Sequence, residues 1–118
     1  MYTLLSAALD TRIRFSLSSC FFNDRAKYLW QDMVFFDGEN TFFDPEILTL
    51  VSPRPIFLEI AKNDAVFSFD GVQNAIDDYN AYKARLSLPD TAVFHVFDGK
   101  HEFSADGAAL SFLKNNIR

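Results

Sequence analysis

Pro55-Ile56-Phe57-Leu58-Glu59-Ile60-Ala61 is a nearly continuous apolar run, closed on its far side by Lys62-Asn63-Asp64. A short run without alternation is the pattern of a strand covered on both faces, as in the middle of a parallel sheet. Two more strand-like segments lie outside it. Residues 13–20, Ile13-Arg14-Phe15-Ser16-Leu17-Ser18-Ser19-Cys20, set Ile13, Phe15 and Leu17 on one predicted face. Ala92-Val93-Phe94-His95-Val96-Phe97 is β-branched and aromatic and stops at Asp98-Gly99.

Helical patterns alternate with these strands. Tyr2 to Leu9 reads as the tail of a helix ending near Asp10, without a visible cap or first turn. Asp70, with Gln73 three residues on, predicts a capped helix that turns Val72, Ala75, Ile76, Tyr79 and Leu86 inward and ends before Pro89. Ser104 predicts the cap of a last helix, with Ala105, Ala108, Phe112 and Leu113 on its inner face. The alternation predicts an α/β fold: a small three-layer arrangement, about three parallel strands flanked by helices and joined by right-handed crossovers.

Residues 21–53 form a long excursion between the first two strands. It holds Phe21-Phe22, Phe35-Phe36, Phe42-Phe43, Trp30 and a turn at Asp37-Gly38. Asn23 or Asp24 predicts a helix start running to about Phe35. Asp44-Pro45-Glu46 predicts a short helix with Pro at its first position. Most of these Phe residues are expected to fill core, with Trp30 and Phe35 the candidates for pocket lining.

The chain of 118 residues is one domain, 1–118. With 49% hydrophobic and 23% charged residues it is not a disordered composition. A net charge of -5 and no Lys or Arg cluster argue against a nucleic-acid partner. No apolar run approaches the ~18–20 residues of a membrane span, and no signal peptide is visible. The expectation is a soluble protein with no membrane partner, cytoplasmic if complete as given. Cys20 is the one cysteine, which excludes an internal disulfide and a Cys-based zinc site, and His95 and His101 leave little for a metal cluster. No metal or organic cofactor is expected.

The chemistry concentrates at strand ends. Asp64 follows the second strand and His101 the third, in Asp98-Gly99-Lys100-His101-Glu102-Phe103. Parallel neighbours deliver their C-terminal ends to one edge, where ligand crevices form. An acid placed there can fix an imidazole's tautomer and stabilise the imidazolium, and an ordinary histidine titrates near pH 6.5. Turn formation is the plainer role for both residues. Cys20, at the end of the first strand, gives the order nucleophile, acid, base, but Phe21 follows it where an elbow needs a small residue. Ser18 and Ser19 read as strand-end hydrogen bonders, His95 as structural, Glu102 as a solvated loop acid and Arg54 as a loop anchor.

Leu4-Leu5-Ser6-Ala7-Ala8-Leu9-Asp10-Thr11-Arg12-Ile13, Ser18-Ser19-Cys20-Phe21, Ser52-Pro53-Arg54-Pro55-Ile56, Asn63-Asp64-Ala65-Val66-Phe67, Phe69-Asp70-Gly71-Val72 and the segment around His101 come in a telling order and spacing. Together they resemble the C-terminal half of an α/β-hydrolase, in the acetyl-xylan-esterase and dienelactone-hydrolase-like group. The resemblance implies Asp64 as the triad acid, His101 as the triad base, and carboxylic-ester hydrolysis through an acyl-enzyme. It also implies a Gly-x-Ser-x-Gly elbow just ahead of the first helix. Gly38, Gly71, Gly99 and Gly107 are the four glycines, and none belongs to such a motif. The expectation is a fragment or truncated frame, inactive alone, with small ester substrates met only by the full-length parent. The alternatives are a non-catalytic interaction module and a Cys20-dependent hydrolase. Without upstream strands the first strand is an open sheet edge, so a homo-oligomer formed through that edge is expected.

Overall fold

β2 (Ile56–Ala61) is buried at every residue because it runs between β1 (Ser16–Ser19) and β3 (Ala92–Phe97), parallel to both. This is a computed structural model, and it describes residues 1–27, 37–38 and 41–117. Its helices are α1 (Tyr2–Leu9), α2 (Asp44–Val51), α3 (Phe69–Arg85) and α4 (Ala108–Asn116). Among the described residues no helix is long and apolar enough to cross a membrane.

The two faces of β2 carry different chemistry. Ile56, Leu58 and Ile60 join Leu4 and Ala7 of α1, Ile47, Leu48 and Val51 of α2, and Val72, Ala75 and Tyr79 of α3 in one core. Each such large apolar side chain contributes roughly 1.5–3 kcal/mol by leaving water. Phe57 and Glu59 face the other way, where Phe112 of α4 packs on Phe57 at 5.3 Å between ring centres. Sheet order β1-β2-β3 places both crossovers, through α2 and α3, on one face. That is what two crossovers of the same hand require when the strands advance in one direction. α4 forms the third layer, so the α/β class and the layering agree with the sequence reading.

Several local expectations are corrected. The first strand begins at Ser16, and residues 13–15 lie outside it. Ile13 packs against the α1–α3 core, whereas Phe15 meets Phe112 on the α4 side, so the two do not share a face. α3 starts at Phe69, and its cap is Ser68, whose Oγ accepts the Gly71 N–H at 3.2 Å, not Asp70. Leu86 is the exposed residue that caps the helix after Arg85 rather than part of its inner face. α4 starts at Ala108, after Gly107 at φ 86°, and Ala105 stays exposed outside it at φ 55°. Ser104 is not its cap, because the carboxylate of buried Glu59 claims its hydroxyl at 2.6 Å. A carboxylate inside a sheet loses far more without a donor than an exposed helix end does.

α2 has Pro45 in its first turn and the Glu46 carboxylate accepting the Phe43 N–H at 3.0 Å. Arg54 bonds the backbone carbonyls of Asp10 and Ile13 at 3.1 Å and of Leu50 at 3.2 Å, tying the ends of α1 and α2 to the entry of β1. Its loop-anchoring reading holds. The predicted helix to Phe35, and with it Trp30 and Phe35, lies outside the described residues. The described stretch just before it is a 3₁₀ turn, Arg25–Lys27, with Asp24 Oδ1 accepting the Ala26 N–H at 3.1 Å.

Candidate active site

The pairing of β2 with β3 ends on Ala61 opposite Phe97, and it fixes where the two following loops begin. Backbone bonds carry the match onward, from Lys62 N to Phe97 O at 3.0 Å and from Asn63 N to Gly99 O at 2.9 Å. Asn63 Nδ2 then donates to Asp98 Oδ1 at 2.8 Å. Gly99 is needed here because a Cβ on it would come within 2.4 Å of the Phe97 ring. Two loops held together over this length deliver Asp64 and His101 to the same place.

Asp64 is fixed before His101 reaches it. Its Oδ1 accepts the backbone N–H of Val66 at 2.7 Å and of Phe67 at 3.0 Å. That leaves Oδ2 pointing at His101 Nδ1, 2.9 Å away. The Asp64 side chain is 2% exposed and that of His101 48%. An ionised carboxylate only accepts, so Nδ1 carries the proton and donates, leaving Nε2 for a second partner. The buried Phe67 ring lies 5.8 Å from the imidazole, centre to centre.

Beside the pair opens a crevice of about 510 Å³, lined by Leu17, Ser19, Cys20, Phe21, Phe67 and His101 among others. Cys20 stands at the end of β1 at φ 50°, a backbone region that non-glycine residues seldom occupy, and is 6% exposed. Its Sγ donates to the Glu102 carbonyl at 3.2 Å. Ser19 Oγ donates to the same carbonyl at 3.2 Å, while Ser18 is buried further down the strand. Glu102 does not reach His101; its Oε1 accepts the Lys100 N–H at 3.0 Å and shapes their own loop.

The far side of that loop has a brace that the sequence reading missed. Ser104 is held by Glu59, and Asp106 by His95, whose Nε2 lies 2.6 Å from Asp106 Oδ2. Asp106 Oδ1 also accepts the Ala108 N–H at 2.9 Å. The signal available for the first contact was Glu59 itself, a lone carboxylate in an apolar run. His95 is structural as expected, stacked on Phe57 at 5.5 Å between ring centres.

The Ala108 amide first, and His95 second, hold the Asp106 carboxyl below its usual range. A carboxyl depressed in the folded state supports the fold above its unfolded value, about 3.9, and loses that support as pH falls through the folded value. The Ala108 amide resonance is therefore expected to titrate with a midpoint below pH ~3.9. In Asp106→Asn that transition should vanish. A midpoint at or above the unperturbed value would contradict the brace.

No protein-family model matches the chain, and no curated protein matches it in sequence. Among solved structures it is similar to a glucuronoyl esterase from Solibacter usitatus, with a TM-score of 0.66 at 16% identity. The match covers 94% of this chain and 38% of that one, so the chain spans well under half the esterase's length. At that identity the likeness is one of fold: both share a parallel sheet with flanking helices, an α/β arrangement.

Proposed function

We propose that this chain carries the acid and the base of a serine carboxylic-ester hydrolase whose nucleophile lies on polypeptide outside residues 1–118. The observation that carries the reading is the 2.9 Å contact between Asp64 Oδ2 and His101 Nδ1 at adjoining strand ends, beside a crevice. The fold it shares with an esterase supports it, and so do the motifs resembling the acetyl-xylan-esterase and dienelactone-hydrolase-like group. In the reaction, His101 Nε2 takes the proton of the attacking hydroxyl as that oxygen bonds the ester carbonyl carbon. The imidazolium returns the proton to the departing alcohol, leaving an acyl-enzyme that water cleaves by the same route. Asp64 stays ionised and keeps the ring in the productive tautomer.

By itself the chain lacks a glycine-flanked serine and is inactive on this reading. Among the described residues no further strand pairs with the outer edge of β1; in the longer protein earlier strands cover it, and in the isolated chain a second copy does. The test is the coding sequence immediately upstream of Met1. An in-frame Gly-x-Ser-x-Gly is expected there, and protein expressed from the longer frame should hydrolyse p-nitrophenyl acetate. Absence of such an elbow, or hydrolysis indifferent to His101, would overturn the reading.

A further inference from the structure

Counting cysteines and histidines in the sequence argues against a metal site, yet the fold gathers a mixed donor set. One ligand atom each from Cys20, Asp64 and His101 lie within 4.8 Å of one another. They come from the ends of three adjacent strands, and no two are closer in sequence than Asp64 and His101. We propose that these three side chains bind a divalent transition cation of the zinc type.

The donor chemistry fits. Thiolate, imidazole and carboxylate are the three protein ligand types of zinc, at about 2.3 Å for sulfur and about 2.0–2.2 Å for nitrogen and oxygen. Tetrahedral bonds of those lengths place ligand atoms roughly 3.3–3.6 Å from each other. The observed separations, at most 4.8 Å, exceed those values by no more than about 1.5 Å. A thiolate and a carboxylate together carry two negative charges, which the cation cancels. That matters because Cys20 and Asp64 are both buried, where a net charge is costly.

The surroundings also fit. Asp64 Oδ1 is committed to the Val66 and Phe67 amides, which orients Oδ2 as the ligand atom, as outer-shell bonds do for ligating carboxylates. The left-handed backbone of Cys20 turns its Sγ onto the loop that carries His101, where it meets the carbonyls of Glu102 at 3.2 Å and Lys100 at 3.9 Å. Binding breaks the S–H bond and releases that proton to solvent. The Nδ1 proton of His101 moves to Nε2 by way of solvent, which frees Nδ1 as the ligand atom. The Glu102 carbonyl then keeps Ser19 Oγ as its donor. Cys20 and His101 line the crevice, so water reaches the site from that side to take a fourth position. Three protein ligands and one open position make an accessible site.

Because the cation would use the same atoms as the Asp64–His101 pair, the metal-bound and proton-shuttling states exclude each other. Binding itself depends on the three donors alone, whatever reaction His101 serves. The experiment is titration of the purified, chelator-treated chain with cobalt(II), read as thiolate-to-cobalt charge-transfer absorption, followed by competition with zinc. One-to-one saturation with that band is expected, with displacement by zinc. Cys20→Ser should abolish the band. His101→Gln, at a half-exposed position, should weaken binding by at least the roughly 10–100-fold that loss of an outer partner costs a metal site. Circular dichroism identifies any variant that has lost its fold, and His101→Gln then remains as the folded comparison. No charge-transfer band at saturation, or equal cobalt affinity in wild type, Asp64→Asn and His101→Gln, would overturn the proposal.

Discussion

On the proposed function, Asp64→Asn is expected to lower kcat of the full-length protein's ester hydrolysis by about 10⁴-fold while changing KM little. The substitution keeps the size of the side chain and an oxygen for the Val66 and Phe67 amides, which bond Oδ1 in the native protein. What changes is the atom facing His101 Nδ1, now 2.9 Å from an acceptor. An amide nitrogen there donates, so the imidazole must move its proton to Nε2 and can no longer take one from the attacking hydroxyl. His101→Ala should cost at least as much, and the double variant no more than the larger single loss, because the two act as one unit. Additive losses would mean that the residues work separately, and a large rise in KM at constant kcat would assign them to substrate binding.

Asp44→Ala is expected to lower unfolding stability by about 3–5 kcal/mol, read from the midpoint of urea denaturation. The side chains of Arg25 and Asp44 are 5% and 6% exposed, and Arg25 Nε lies 3.1 Å from Asp44 Oδ2. Burial pushes the Asp44 carboxyl up, against the opposing pull of Arg25 and the Asn23 amide. Removing the carboxylate would leave a buried guanidinium without this counter-charge and the Asn23 N–H without its acceptor. Against a total of ~5–15 kcal/mol that is a large fraction. Replacing both partners by apolar residues should cost much less than the single change, since no buried charge then loses its counter-charge. The effect reaches the site, because the Arg25 guanidinium lies 4.3 Å from the centre of the Phe21 ring and 5.7 Å from that of Phe67. A loss under 1 kcal/mol would show that Arg25 stays compensated without Asp44.

The strand plan was legible because burial on both faces leaves a strong compositional trace. Residues 56–60 could hardly be read otherwise, and the ends of β2 and β3 place Asp64 and His101 at one edge. Cap residues were less legible. Ser68, Asp70, Ser104 and Asp106 are all ordinary helix-start residues, and the choice among them fell to long-range partners such as Glu59 that no local pattern reports. The faces of residues 13–15 were misread for a related reason. Alternation holds only inside a strand, and this segment is still turning into one. Cys20, Asp64 and His101 were legible as strand-end neighbours, but counting cysteines and histidines one type at a time hid them as a mixed set of metal donors.

The assignment of roles to residues 64 and 101 is tested most directly by the ¹⁵N shifts of the His101 ring in chelator-treated protein at alkaline pH. The account predicts one dominant tautomer, protonated at Nδ1, which gives way to mixed tautomers in Asp64→Ala. An Nδ1 that already accepts in the wild-type protein, or a ring unaffected by the loss of Asp64, would contradict it.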